Sequence, residues 1–115
     1  MLRGEIRIVD LDPVRGSEAN KRRPAVIVSN DGANATAARL HRGVITVVPV
    51  TSNVARIYPF QVMLPAAQCG LPLDSKAQAE QVRSMAVQRV GRRVGQLPVS
   101  LVSDLEDALR LHLGL

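Results

Sequence analysis

Short β-branched runs, each ended within a few residues by a proline or a glycine, occupy most of residues 5–97 and limit the chain to a mainly β fold. Val, Ile and Thr favour extended backbone, whereas proline cannot donate to a strand ladder. The clearest run ends at Pro49-Val50, and this proline predicts a strand edge or a bulge. The predicted strands are Glu5–Asp12, Pro24–Ser29, Val44–Val50, Tyr58–Leu64 and Val94–Leu97.

Three stretches between these runs have a less decided pattern. Residues 14–23 are small, polar and basic, which is typical of an open loop. After the turn signal at residues 30–32, residues 33–40 are predicted as one short helical turn or a loop. From Ser75 to Met85 the alternation favours a strand while the propensities favour a helix equally, so both interpretations stay open here.

The C-terminal segment predicts the one long helix of the chain. Ser100 suits its N-cap, Gly114 suits its end, and acidic residues lie in its N-terminal half. Its apolar stripe, which must be buried, consists of Leu101, Leu105, Ala108 and Leu109, with Val102, Leu111 and His112 nearby and His112 expected to pack against the core. Short strands and a terminal helix in 115 residues predict a single domain, namely a small, strongly bent β-barrel that carries a helix.

Charge indicates the class of ligand. Thirteen arginines and two lysines face ten carboxylates, which gives a net charge of +5. Residues 104–115 carry −2, so removing them from the total leaves +7 on the first 103 residues. A basic body favours a polyanion such as nucleic acid, although an arginine-rich genome would produce the same bias. No apolar run reaches the ~18 residues of a membrane span and no secretory signal follows the N-terminus, so a cytoplasmic protein is expected.

The sequence predicts no metal site and no cofactor. Neither His41 nor His112 has a cysteine or carboxylate at ligand spacing, and the lone Cys69 has no partner. Asp10 and Asp12 share a strand face that would suit Mg²⁺, but a solvated strand face is the simpler interpretation. A catalyst in this chain would therefore have to use Arg, Thr, Ser, Gln or Glu.

Residues 15–24 are the segment best suited to chemistry. Three consecutive cations, Lys21, Arg22 and Arg23, precede Pro24. The proline biases Arg23 toward extended backbone, so its guanidinium is presented in a defined direction. A guanidinium matches two phosphate oxygens at once, which an ammonium does not. The alternative is an ordinary solvated loop.

Several strings of the chain, taken in order, resemble the MazF/PemK toxins. They cover nearly the whole chain from about Arg3 onwards, and their order and spacing match together. They are Arg3-Gly4-Glu5-Ile6, Val9-Asp10-Leu11-Asp12-Pro13, Gly16-Ser17-Glu18, Arg22-Arg23-Pro24-Ala25-Val26-Ile27-Val28-Ser29-Asn30, Val48-Pro49-Val50-Thr51-Ser52, Tyr58-Pro59-Phe60-Gln61-Val62 and Glu80-Gln81-Val82-Arg83-Ser84.

The resemblance implies an SH3-like barrel with a terminal helix, assembled as a homodimer. It also implies metal-independent, sequence-specific cleavage of single-stranded RNA, mainly messenger RNA, and a cognate MazE-like antitoxin that blocks the RNA site. In the family the Arg before Pro and the Thr after the third strand carry catalysis, which here are Arg23 and Thr51. The chain departs from the family at Arg7, where many members have an aromatic residue, and base stacking is left to Tyr58 and Phe60.

The remaining candidate residues have two interpretations each. Glu18 is a possible general base, or a loop residue that orders Arg22 or Arg23. In addition to the catalytic candidates, the candidate RNA-binding residues are Gly16, Ser17, Lys21, Arg22, Ser52, Gln81, Arg83 and Ser84. The last three suit hydrogen bonding within a dimer or a barrel as well as they suit RNA.

Two other functions remain open at this point. A CcdB-like toxin has the same barrel but binds a protein such as gyrase, and it needs no catalytic arginine. A non-catalytic RNA-binding barrel would keep the basic surface without cleavage. The intact Arg23-Pro24 and Thr51-Ser52 pairs favour the nuclease.

Overall fold

The computed structural model describes residues 1–11 and 22–115, and the elements below belong to these residues. This part of the chain contains seven strands and three α-helices. The strands are β1 (Glu5–Asp10), β2 (Arg22–Ile27), β3 (Val44–Thr51), β4 (Gln61–Leu64), β5 (Ser75–Gln78), β6 (Arg83–Ala86) and β7 (Val90–Gln96). The helices are α1 (Asp31–Leu40), α2 (Ala66–Cys69) and α3 (Val99–Leu113). Short 3₁₀ turns cover Ala79–Gln81 and Val87–Arg89.

The strands form one antiparallel sheet in the order β4-β5-β3-β2-β1-β7, and β6 also pairs with β3. The predicted mainly β fold with a C-terminal helix is therefore confirmed. The path of pairing ends at β4 and at β7, so strand pairing among the described residues does not close the sheet into the expected complete barrel. No helix in this part of the chain is long and apolar enough to cross a membrane.

The β2 strand starts earlier than predicted. Arg22 and Arg23 belong to the ladder, opposite Asp10 and Val9, instead of ending an open loop. Pro24 is accommodated within the strand because the pairing of β2 with β3 begins only at the next residue, Ala25. The backbone of the two arginines is therefore paired with β1, in the part of β2 that precedes its pairing with β3.

The two undecided stretches resolve into regular structure. Residues 31–40 form a full helix whose N-cap is Asn30, because its side-chain oxygen accepts from the Ala33 amide at 2.8 Å. Ser75–Met85 is neither one strand nor one helix, since the 3₁₀ turn over Ala79–Gln81 divides it into β5 and β6. Both β5 and β6 pair with β3. Pro49 lies between the part of β3 that pairs with β6 and the part that pairs with β5.

Strands β2 and β3 are buried on both faces, which explains their nearly continuous apolar runs. Val26 and Val48 pack in one cluster with α3, whereas Ile27 and Val47 pack in a second cluster on the opposite face. Burial at Cys69 raises the pKa of its thiol, so this residue stays protonated and serves as a packing group.

Helix α3 covers the first cluster largely as predicted. Leu105 and Ala108 are buried, and Leu101 and Leu109 are half-buried against the cluster. Two details of the prediction are wrong. The N-cap is Pro98 and not Ser100, which lies inside the first turn. Leu111 and His112 are exposed and not buried with the stripe.

Arg7 links a buried carboxylate of its own strand β1 to the backbone of β7. Glu5 is 5% exposed and accepts from Arg7 Nε at 2.9 Å, while Arg7 Nη1 donates to the Gly91 carbonyl at 3.1 Å. Burial by itself raises the pKa of Glu5, but the Arg7 hydrogen bond, a Leu2 backbone hydrogen bond and nearby positive charges together lower it. The charged form of Glu5 therefore stabilises the folded state.

We expect Arg7→Met to lower the free energy of unfolding by about 1–3 kcal/mol at pH 7, the scale for a hydrogen bond to a charged group. Since the folded pKa of Glu5 is depressed, its contribution is present above the unfolded pKa and is lost as pH falls through the folded value. The difference between variant and wild type should accordingly shrink on acidification. Urea unfolding from pH 7 to pH 3.5 measures it.

The matched control is Arg93→Met, which removes the same charge from the residue paired with Arg7 on β7. Arg93 is exposed and bonds only to Gln96 Oε1 among the described residues, so its loss should change stability little. A penalty for Arg7→Met that stays constant with pH would contradict the role given to Glu5.

Candidate active site

An open groove of about 430 Å³ lies where β2 begins and β3 ends. In an antiparallel pair these two points are neighbours, so residues 28 positions apart along the chain come close there. Its described lining consists of Arg22, Arg23, Pro24, Val50, Thr51, Ser52, Leu71, Pro72, Leu73 and Ser75. Four of the candidate residues predicted from sequence, Arg22, Arg23, Thr51 and Ser52, are brought together in it.

Strand register sets Arg23 against Thr51. The pairs Ala25–Pro49 and Ile27–Val47 fix the β2–β3 register, and the same register carried two residues further places Arg23 across from Thr51. Residues opposite each other in a ladder project from the same face of the sheet, whereas Arg22 projects from the other. Both arginines are exposed, so a polyanion can reach either guanidinium.

The hydroxyl of Thr51 is oriented by its own loop. Thr51 Oγ1 accepts from the Asn53 amide at 3.2 Å, and Thr51 is half-buried at the groove. Because the oxygen already accepts one hydrogen bond, its proton is available to donate to a ligand. A donor hydroxyl facing a guanidinium across a groove is an arrangement that binds a phosphate group.

The structure does not bring the other described candidates to this groove. Gln81 lies in the 3₁₀ turn before β6, and Arg83 and Ser84 lie on β6 opposite Val47 and Thr46. All three are exposed, so they remain candidates for contacts outside the groove. The candidates Gly16, Ser17, Glu18 and Lys21 lie outside the described residues, as does Asp12.

Asp10 lies opposite Arg22 in the ladder between β1 and β2. Its Oδ1 atom is buried and accepts no hydrogen bond from the residues that the structure describes. Among residues 1–11 and 22–115, no three His, Cys, Asp or Glu side chains come together as a metal-binding group. The Mg²⁺ site considered for Asp10 and Asp12 gains no support from the described carboxylate.

Sequence reasoning missed one wall of the groove and one buried cation. Leu71, Leu73 and Ser75 follow α2 and line the groove opposite the arginines, a position that no local pattern reveals. Lys76 pairs with Thr51 across β3 and β5, and it is buried at 8% exposure. The available signal was indirect, since only two lysines occur in a chain otherwise rich in arginine.

Sequence comparisons identify the family of the chain. Residues 2–113 match the family described as PemK-like, MazF-like toxin of type II toxin-antitoxin system. A relative named endoribonuclease MazF9, from Mycobacterium tuberculosis, is 64% identical over 115 residues, which are 100% of this chain and 98% of the relative. Endoribonuclease MazF6 of the same species is 36% identical over 114 residues, with 98% and 96% covered.

Solved structures of similar proteins have the same fold. MazF from Deinococcus radiodurans superposes with a TM-score of 0.78 at 27% identity, covering 100% of this chain and 97% of that one. The Mycobacterium tuberculosis toxin MazF-mt6 gives 0.76 at 26% identity, with 96% and 97% covered. A MazE–MazF complex from D. radiodurans gives 0.77 at 25% identity, with 100% and 97% covered. With its fold and nearly its whole length matched, the chain belongs to the PemK-like, MazF-like toxins of type II toxin–antitoxin systems.

Proposed function

We propose that this toxin is a sequence-specific endoribonuclease that cuts single-stranded RNA, mainly messenger RNA, at the groove between β2 and β3. The observation that supports the proposal is that Arg23 and Thr51 line the same open groove, together with the second cation Arg22. The relatives named endoribonucleases support the reaction class. An RNA substrate of this kind implies action in the cytoplasm.

RNA supplies its own nucleophile in this reaction. The 2′-hydroxyl oxygen attacks the adjacent phosphorus, the bond from phosphorus to the 5′-oxygen breaks, and a 2′,3′-cyclic phosphate and a 5′-hydroxyl result. Negative charge builds up on the two non-bridging oxygens in the transition state. One preorganised donor aimed at such charge contributes ~3–4 kcal/mol in comparable sites. We assign this role to the guanidinium of Arg23 and the hydroxyl of Thr51, which both line the groove.

Two protons must also move, one from the 2′-hydroxyl and one to the departing 5′-oxygen. Because a guanidinium keeps its positive charge in proteins, Arg23 is a poor resting base. Its suitable roles are charge stabilisation and proton donation to the leaving oxygen. Glu18 is our candidate for the base, and it lies outside the described residues.

The other RNA contacts follow from the same surface. Arg22 is a positioning cation for the backbone, and Ser52 lies in the groove next to Thr51. We assign Gly16, Ser17 and Lys21 to the segment that precedes Arg22, and Gln81, Arg83 and Ser84 to contacts with flanking nucleotides. The protein works as a homodimer, and a MazE-like antitoxin blocks it. The solved MazE–MazF complexes of similar chains support this choice of partner.

Cleavage should persist in EDTA, because attack by a 2′-hydroxyl needs no metal-activated water. The test incubates the purified protein with single-stranded RNA in excess EDTA and identifies the product ends. We expect 2′,3′-cyclic phosphate and 5′-hydroxyl termini at an unchanged rate. Loss of cleavage in EDTA that Mg²⁺ restores would overturn the mechanism.

The same incubation separates the rival functions. RNA binding without any cut would support the non-catalytic barrel, and neither binding nor cleavage would support a CcdB-like protein inhibitor. The comparisons favour neither alternative, since the named relatives are endoribonucleases.

A further inference from the structure

Lys76 is a buried cation in an unusual position. It lies on β5 at 8% exposure, opposite Thr51 of β3 on one side and Met63 of β4 on the other. Lysine is rarely buried this far, because removing an ammonium from water is costly unless it gains a partner. A specific contact must therefore hold it there.

That contact is a backbone carbonyl 20 residues away. Lys76 Nζ donates to the Arg56 carbonyl oxygen at 2.7 Å. The same ammonium lies 5.9 Å from the centroid of the Tyr58 ring, and the Arg56 guanidinium lies 5.7 Å from that centroid. One lysine thus holds the backbone of Arg56 and lies near the aromatic ring that follows it.

Residues 52–60, which we call the Tyr58 segment, are tied at other points as well. At the start of the segment, just after β3, the Asn53 amide donates a hydrogen bond to Thr51 Oγ1. The Tyr58 amide donates to Gln61 Oε1 at 3.1 Å, and Gln61 Nε2 donates to Glu80 Oε2 at 2.6 Å. The Lys76 contact differs from the others because Lys76 is the β5 residue that pairs with Thr51, so it connects the segment to the strand position next to Thr51.

The ordered segment presents an aromatic surface. Tyr58 is 41% exposed and stacks on Phe60, with ring centroids 5.3 Å apart and an interplanar angle of 5°. These are the two aromatic residues of the chain. Unpaired bases bind to such surfaces by stacking. The stacked base has a fixed position relative to the scissile phosphate only if the Tyr58 segment itself is fixed.

We propose that Lys76 is a positioning residue that fixes the Tyr58 segment relative to Thr51 and thereby sets how the protein grips the nucleotides flanking the cut. It acts through Arg56 and Tyr58 and does not touch RNA. The proposal rests on the proposed function and deepens it. It makes substrate binding, more than the chemical step, depend on a buried lysine.

The test compares Lys76→Met, which keeps the apolar stem and loses the ammonium, with Lys76→Arg, which keeps a cationic donor. Arg39→Met is the matched control, since it removes one exposed charge from α1. The substrate is a defined messenger RNA transcript whose cut sites are mapped by sequencing the 5′ ends. For Lys76→Met we expect KM to rise about tenfold, kcat to stay within about threefold, and the preference among cut sites to weaken. Lys76→Arg should show a smaller rise in KM, and the control none.

A spectroscopic measurement reports the segment directly, because the chain has one tyrosine and no tryptophan. Acrylamide should quench Tyr58 emission more strongly in Lys76→Met than in wild type and control. A single-stranded oligoribonucleotide with a 2′-deoxy nucleotide at the cut site should protect Tyr58 less in the variant. These readouts need binding only, so they test Lys76 even if wild type cleaves no RNA, which would overturn the proposed function instead.

An unchanged KM, cut-site pattern and quenching in folded Lys76→Met would overturn the proposal. So would a loss of kcat in proportion to lost stability, because that is the behaviour of a residue with only a structural role. Should Lys76→Met fail to fold at the assay temperature, Lys76→Arg decides. A raised KM at unchanged kcat supports the proposal, and a wild-type KM overturns it.

Discussion

Arg23→Lys should lower the rate of RNA cleavage by about 10²-fold or more while RNA affinity changes far less. The substitution keeps the positive charge and loses the planar fork that binds two phosphate oxygens. If the guanidinium stabilises charge that develops only in the transition state, kcat must fall and binding must remain. Single-turnover cleavage and a filter-binding titration on the same RNA measure the two quantities.

The control is the neighbouring residue, because Arg22→Lys makes the same chemical change in the same groove. Arg22 lies in the ladder opposite Asp10, on the other face of the strand, so its change should affect affinity more than turnover. Thr51→Val, which removes the hydroxyl at nearly constant shape, should lower turnover as well. Wild-type cleavage by Arg23→Lys, together with loss of cleavage in Arg22→Lys, would show that the catalytic arginine is misassigned.

Gly95→Ala should lower the free energy of unfolding by about 3 kcal/mol, the upper end for overpacking. The methyl group would overlap the carbonyl oxygen of Cys69 at the end of α2 and would also crowd Ile6 and Leu71 at 3.3 Å. The overlap is with backbone, so no side-chain rotation relieves it. Since a domain is stable by only ~5–15 kcal/mol, urea unfolding should show a large shift in midpoint.

Gly91→Ala, on the same strand, provides a graded comparison. Its methyl group would lie 3.0 Å from the Ile8 carbonyl oxygen, which is tight but short of overlap. We expect a smaller shift in midpoint for this variant. Equal midpoints for wild type and Gly95→Ala would contradict the close approach of β7 and α2.

Sequence predicted the elements whose burial follows a simple period. The β-branched run of β3 was located to within one residue, and the apolar stripe predicted α3 with its buried Leu105. Elements defined by contacts from elsewhere were missed or left open. The α1 helix was left open for a different reason: Asn30 was interpreted as part of a turn signal although it caps the helix, and the buried Asn34 donates to the Ser29 carbonyl at 2.9 Å.

The residues of the candidate site also fall into two groups, those predicted from the sequence and those found only in the structure. Arg23 and Thr51 were named from the family resemblance, and the strand register then explains why they meet. The wall formed by Leu71 and Leu73 depends on the path of the chain after α2, and the burial of Lys76 depends on a carbonyl 20 residues away. No window along the chain contains both partners of such a contact, so local patterns cannot reveal it.

Because β2 and β3 are packed on both faces, the amides in their interior should exchange with deuterium only when the whole domain opens. Arg23 and Thr51 are attached to these two strands, so the spacing between them is set by the slowest-exchanging part of the molecule. Partial opening of α3 or of the Tyr58 segment would leave that spacing intact. Denaturant should therefore lower kcat only together with global unfolding, whereas opening of the Tyr58 segment alone would raise KM.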